Sequence, residues 1–204
     1  MSVVFPGHNP AANLSLRLLQ ALWFALPVFA AGLIHVCVIK FGWFSALARQ
    51  PLDRGAMLRR RRLLGDNKTV RGAVVMIVAT AMVGSVLAQA SGPIYQQLAV
   101  APFQIAHPAL WGLLLGAGYV LGELPNSAVK RQLDIAPGTA GCGWKGCLFW
   151  VLDQLDSVVG AFLLVSIVWR PDIIFVAIVL GLALLLHPFV AALMVVLGLK
   201  TRIG

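Results

Sequence analysis

The chain is predicted to be an all-α integral membrane protein with about five transmembrane helices, and three observations predict it. Of its 204 residues, 60% are apolar and only 11% charged, against roughly 25% charged residues in a soluble domain. Apolar runs close to 20 residues recur along it, the length a helix needs to cross a bilayer while satisfying its own backbone hydrogen bonds. The cations fall unevenly between alternate connecting segments, which sets an orientation by the positive-inside rule. A single membrane domain spanning residues 1–204 is expected.

The N-terminal stretch carries Pro6, Gly7, Asn9 and Pro10 and reads as a turn-rich external lead. It lacks the basic n-region and small-residue cleavage site of a removable signal, so the first apolar run, 18–39, is expected to stay as an anchor. His35, about one turn before the end of that run, is read as a packing residue. A polar segment, 40–72, follows and leads into the second span, 73–90. The stretch 91–108 has no charge and is placed at the outer interface. The third span, 109–124, is short and opens into a second polar segment, 123–147. The fourth span is 148–169, Arg170-Pro171-Asp172 makes a tight external turn, and the fifth span, 173–199, is long enough to tilt or kink at His187-Pro188.

With the N-terminus outside and the C-terminus cytoplasmic, fourteen of the sixteen cations lie on the cytoplasmic side, leaving only Arg17 and Arg170 outside. Every acidic residue except Asp172 falls on that same side. The net charge of +9 therefore reports topology and attraction to lipid headgroups rather than a nucleic-acid polymer as partner. The run Arg59–Arg62 is read in the same way. Cys37 falls in a span, and Cys142 and Cys147 fall on the reducing side, which argues against a disulfide framework. The location expected is the cell (inner) membrane, with the polar segments facing the cytoplasm.

Chemistry is expected where charge interrupts apolar sequence, because an ionisable group near bilayer depth costs a few kcal/mol unless it meets a partner or water. The stretch Gly122–Asp156 holds Glu123, Asp134, Asp153 and Asp156 together with Lys130, Arg131 and Lys145. Asp153 and Asp156, three residues apart at the expected mouth of the fourth span, project from one helix face. Neither has a basic residue four positions away on its own helix, and a pair of carboxylates with phosphate oxygens suits magnesium, with manganese as a substitute. In the first polar segment, Gly65 and Gly72 flank Asp66, Lys68, Thr69 and Arg71 just ahead of a helix. Backbone N–H groups, a hydroxyl and two cations are there offered to a phosphate, although the spacing of a Walker A loop is absent.

The elements Pro51-Leu52-Asp53-Arg54-Gly55, Asp66 to Gly72, Gly122-Glu123, Ser127 to Arg131, Pro137-Gly138 and Asp153-Gln154-Leu155-Asp156 together resemble the CTP-dependent lipid cytidylyltransferases. The chain is most similar to the small five-helix CDP-archaeol synthase family, with Glu123 standing where that family usually has aspartate. The resemblance implies transfer of CMP from CTP to a lipid phosphate, phosphatidic acid or its isoprenoid ether analogue, with pyrophosphate released. It implies catalytic roles for Lys130, Arg131, Asp153 and Asp156, and magnesium held by Asp153 and Asp156 with Glu123. CTP would be bound by Lys68, Thr69, Arg71, Ser127, Lys130 and Arg131, the cations being oriented by Asp53 and Asp66. Two other readings stay open at this level: a CTP-dependent polyprenol or phytol kinase, and a small membrane transporter.

Overall fold

The computed structural model describes residues 14–89, 97–100 and 107–199. The expectations for the N-terminal lead, for most of 91–108 and for Lys200 and Arg202 lie outside these residues. The chain forms α1 (Leu14–Lys40), a helical turn α2 (Ser45–Ala48), the strands β1 (Met57–Leu58) and β2 (Arg61–Arg62), and then α3 (Val70–Gln89), α4 (Pro108–Gln132), α5 (Gly143–Val165) and α6 (Ile173–Val196). The two strands pair as one antiparallel hairpin. The all-α membrane class is correct, since α1, α3, α5 and α6 are each long and apolar enough to cross a membrane. The fifth long helix, α4, has 25 residues but carries Glu123, Lys130 and Arg131 along its length.

Two boundaries differ from expectation, and both differences move the charged residues. The third span was expected to end at Leu124, yet α4 continues through Pro125 to Gln132. The residues Ala128, Lys130, Arg131 and Gln132 are good helix formers, and the helix stops only where Asp134 turns to φ 59. Glu123, Ser127, Lys130 and Arg131 therefore sit on a rigid helix rather than in a loop. The fourth span was expected from Leu148, but α5 begins at Gly143, behind glycines 141 and 143 with φ of 94 and 63. Asp153 consequently lies ten residues into α5, about 15 Å along it at 1.5 Å per residue, and not at its mouth.

Glycine decides how α4 meets its neighbours. A β-carbon at Gly112 would stand 2.8 Å from the Thr80 carbonyl oxygen of α3, and one at Gly118 would stand 2.6 Å from the Gly160 carbonyl oxygen of α5. Small residues four apart let membrane helices approach to backbone contact, where van der Waals packing substitutes for the missing hydrophobic drive. Gly112 and Gly116 thus serve α3, while Gly118 and Gly122 serve α5, from two faces of one helix. On the far side of α3, Val74, Val78, Met82 and Val86 form an exposed stripe four residues apart, which suits a surface turned to lipid.

One end of the bundle is closed by rings. Phe24 of α1 stacks on Phe162 of α5 at 5.4 Å and meets Trp111 of α4 and Phe175 of α6 edge-on at 5.8 and 5.5 Å. At that end Arg17 and Asp172 pair at 2.9 Å, joining the starts of α1 and α6. Asp172 also caps α6 by accepting from the Phe175 N–H. At the other end α1, α3, α4, α5 and α6 surround open space.

Candidate active site

That space is a cavity of about 590 Å³, and all five long helices contribute to its wall. One face of α4 runs down its side. Leu115, Tyr119, Glu123 and Ser127 recur every four residues, and Lys130 and Arg131 complete the face at the charged end. Lys68, Asn67 and Thr69 close over the top from the segment before α3, and Asp153, Gln154 and Asp156 enter from α5. Deeper down the wall becomes Phe24, Val28, Ala161, Val179 and Ala183. The chamber therefore has one charged wall and one apolar one.

The carboxylates are compensated across helices, which spacing along α5 alone could not reveal. Lys130 Nζ donates to both Asp153 oxygens at 3.0 and 2.7 Å. The Asn126 amide nitrogen bridges the pair, donating to Asp153 at 2.8 Å and to Asp156 at 2.7 Å. Asp156 also accepts from the Ser157 backbone N–H at 2.6 Å. Lys68 is ion-paired with Glu123. Burial works against the charged form of Lys68, but the Glu123 carboxylate more than offsets it and raises the ammonium pKa above its ordinary value.

The balance leaves one buried cation under-used. Arg131 is 8% exposed, and only its Nη2 finds a partner, the Ala136 carbonyl at 3.2 Å. Its Nε and Nη1 are buried without a hydrogen bond, and orphaned donors of this kind cost about 1–3 kcal/mol each. These two N–H groups lie on different edges of the guanidinium, and each is left for an acceptor such as a phosphate oxygen. The Asn126 Oδ1, beside the two aspartates, is likewise buried and unpartnered.

Among the described residues no three His, Cys, Asp or Glu side chains are grouped to hold a metal. Of the expected set, Asp153 and Asp156 share the Asn126 amide, while Glu123 is paired with Lys68 as Asp153 is with Lys130. The pair fits magnesium: two convergent carboxylates with an oxygen-bearing amide beside them match an ion that takes one or two protein carboxylates and completes its shell with water and phosphate oxygens.

Eight of the expected site residues line the cavity, namely Lys68, Thr69, Glu123, Ser127, Lys130, Arg131, Asp153 and Asp156, and three do not. Asp53, with no side-chain exposure, accepts from Arg62 at 2.8 Å and from the N–H groups of Gly55, Leu64 and Gly65. Burial pushes its pKa up, but the Arg62 guanidinium and these N–H donors overcome that and hold the carboxyl well below the usual range. Asp66 pairs with Arg62 at 2.8 Å. Both aspartates thus orient Arg62 and not the cavity cations, which corrects the expected role. Arg71 donates to the Trp43 carbonyl at 3.3 Å and is not itself on the chamber wall. The Thr69 hydroxyl accepts from the Gly72 N–H at 3.2 Å, the pattern of a helix cap.

The arginine run also divides. Arg59 and Arg60, at φ 51 and 66, form the exposed two-residue tip of the hairpin. Arg61 ties that hairpin to the end of α4 through Asp134 at 2.6 Å and the Gln132 carbonyl. Sequence reasoning missed Asn126, Tyr119 and His187 on this site. The four-residue spacing Leu115-Tyr119-Glu123-Ser127 was the available signal for Tyr119.

Fold and chamber define a polytopic α-helical membrane protein with an internal site that has one charged wall and one apolar wall. The particular family is shown by the chain itself: residues 14–202 match the model of the CarS-like CDP-archaeol synthases, and the chain belongs to that family. It is accordingly a transferase of the nucleotidyltransferase type. It is 36% identical to the CDP-archaeol synthase of Methanopyrus kandleri over 76% of this chain and 76% of that protein. It is 35% identical to the CDP-archaeol synthase of Aeropyrum pernix over 90% of this chain and 91% of that one. A solved structure of an intramembrane enzyme for archaeal membrane lipid biosynthesis superimposes with a TM-score of 0.57, at 27% identity over 82% of this chain and 89% of that one.

Proposed function

We propose that the protein transfers CMP from CTP to a lipid phosphomonoester, phosphatidic acid or its isoprenoid ether analogue, at the cytoplasmic face of the cell membrane. An oxygen of the lipid phosphate attacks the α-phosphorus of CTP, the bond from that phosphorus to the α,β-bridging oxygen breaks, and pyrophosphate leaves as the CDP-lipid forms. The observation that carries this reading is the continuous cavity running from Lys68, Lys130 and Arg131 to Phe24, Val179 and Ala183. A triphosphate and a lipid phosphate need the first wall, and hydrocarbon needs the second.

Arg131 receives phosphate oxygens on its two unpartnered nitrogens, and Lys130 and Lys68 exchange their carboxylate partners for phosphate as substrate enters. These cations stabilise charge that grows at the transferring phosphoryl group. Asp153 and Asp156 would hold magnesium, which when bound would supply further neutralisation of phosphate charge. The acceptor is already an anion near neutral pH, so the reaction needs no strong general base.

The purified protein, given CTP and a lipid phosphate, is expected to leave cytidine label in the lipid and to release pyrophosphate. Transfer of the γ-phosphate to a polyprenol instead would establish the kinase reading. Lys68→Ala and Lys130→Ala are each expected to cost about 2–4 kcal/mol in CTP use, whereas Arg59→Ala, at the exposed hairpin tip, should stay within about 0.5 kcal/mol. Single cysteines at Gly65 and Thr139 should react with impermeant reagents only from the cytoplasmic side, and one at Gln97 only from outside. The reverse labelling would overturn the orientation.

A further inference from the structure

We infer that Tyr119 and His187 form a polar collar in the cavity that hydrogen-bonds the glycerol oxygen at C2 of the lipid substrate, below its phosphate. The inference rests on the cytidylyl-transfer reading and identifies where that reaction's acceptor is held.

The geometry singles out this pair. The α6 wall of the cavity is Val179, Ala183, Val190, Ala191 and Met194, all apolar, and His187 is the polar side chain among them. Opposite it, Tyr119 stands one turn below Glu123 and one turn above Leu115 on the cavity face of α4. The two rings meet edge to face at 5.8 Å, and the Tyr119 hydroxyl lies 3.4 Å from His187 Nε2. That separation is at the long limit for a hydrogen bond, and optimal ones are about 0.5 Å shorter. The contact is a long one, and Ser157 and Glu123 beside the Tyr119 hydroxyl and the Gln154 backbone beside His187 complete its surroundings; a hydroxyl can donate and accept, and imidazole has two ring nitrogens, so the pair can re-aim a donor toward an oxygen that enters the cavity.

The level also matches the substrate. Glu123 and Asp156 mark one level of the chamber, since a β-carbon on the adjacent Gly122 would run into the Asp156 backbone carbonyl oxygen. Tyr119 lies four residues deeper on α4, roughly 6 Å. In a glycerophospholipid four bonds separate phosphorus from the C2 oxygen, on the order of one helical turn of about 5.4 Å. A lipid phosphate placed at the Asp156 level thus brings that oxygen to the collar and sends its chains on past Leu115, Ala161 and Val179. Ether and ester oxygens both accept, so the collar reads the presence of the oxygen and not the linkage.

The test is a binding cycle in detergent micelles with two lipid phosphates, a dialkyl glycerol phosphate and the analogue whose C2 oxygen is a methylene group. Wild-type protein should bind the analogue about tenfold more weakly, the usual upper range for one hydrogen bond. Tyr119→Phe, which preserves the ring, and His187→Leu should each weaken the parent lipid severalfold and narrow its advantage over the analogue. CTP affinity should be unchanged. Equal losses for the two lipids in the variants, or a matching loss of CTP affinity, would overturn the collar. Because binding is read without turnover, a protein that passes the cycle yet transfers no cytidylyl group would overturn the proposed reaction and support the collar as a lipid-phosphate site.

Discussion

The two ends of the same five-helix bundle are built on opposite principles. At one end Phe24, Trp111, Phe162, Trp169 and Phe175 fill the space between helices with ring against ring. At the other, Lys68–Glu123 and Lys130–Asp153 stand as opposed pairs around a chamber. Rings interdigitate and close a bundle. Paired charges resist being squeezed into hydrocarbon and keep water and ligand space open. Ring packing and charged chamber are thus separated along the bundle axis, with the Gly118–Gly122–Gly160 contact joining them at mid-bundle.

The largest expected effect would fall on the chemical end. Asp153→Asn or Asp156→Asn should lower turnover at least about a thousandfold, roughly 4 kcal/mol of barrier; Asp153→Asn, which strips buried Lys130 of its carboxylate, should also lower the unfolding temperature in detergent, while Asp156→Asn leaves it near wild type. Partial rescue by manganese is expected. Near-wild-type turnover in both variants, or turnover surviving excess chelator, would break the division of labour. At the aromatic end the reverse holds. Trp111→Ala, fully buried and outside the cavity wall, should cost about 3 kcal/mol of stability and leave the CTP dependence of the folded fraction unaltered.

A smaller effect tests the junction. Gly160→Ala forces a methyl group into the α4 backbone at Gly118 and Gly122 and should cost about 1–3 kcal/mol. It should lower both unfolding temperature and turnover, because the same approach aligns Asn126 with the aspartates. Gly181→Ala, where a β-carbon meets nothing within 4 Å at an exposed position outside the cavity wall, is the control that should change neither.

The smallest effect concerns the loop that covers the chamber. Because the folded pKa of Asp53 is depressed, its contribution is present above the unfolded value near 3.8 and is lost as pH falls through the folded one. Asp53→Asn should therefore speed proteolysis of the 50–69 segment at neutral pH, with the gap from wild type closing progressively below about pH 4. A gap that widened with acid would show that Arg62 and the Gly55, Leu64 and Gly65 amides do not act through the carboxylate charge.

The membrane class was legible in composition, because apolar length and charge segregation are properties of the chain itself. So were eight residues of the chamber, since carboxylates and cations inside apolar sequence stand out wherever the chain later folds. Three assignments failed for one reason. Asp53, Asp66 and Arg71 carry the right charge in the right segment, but their partners are Arg62 and the Trp43 carbonyl, chosen by the hairpin and the end of α1. The two misplaced helix boundaries have a local cause, in that apolar run length marks lipid and not helix, and α4 and α5 extend well past it into polar sequence.

What the sequence determined by itself is the helical membrane class and the inventory of charges, because both follow from properties that each residue carries alone. Tertiary structure decided which charges meet. Asn126 bridging Asp153 and Asp156 across 27 and 30 residues, Lys130 opposite Asp153, and Tyr119 against His187 across 68 residues all depend on how closely α4 approaches α5 and α6. For α5 that distance is set by three glycines whose missing side chains become visible only when the helices are packed.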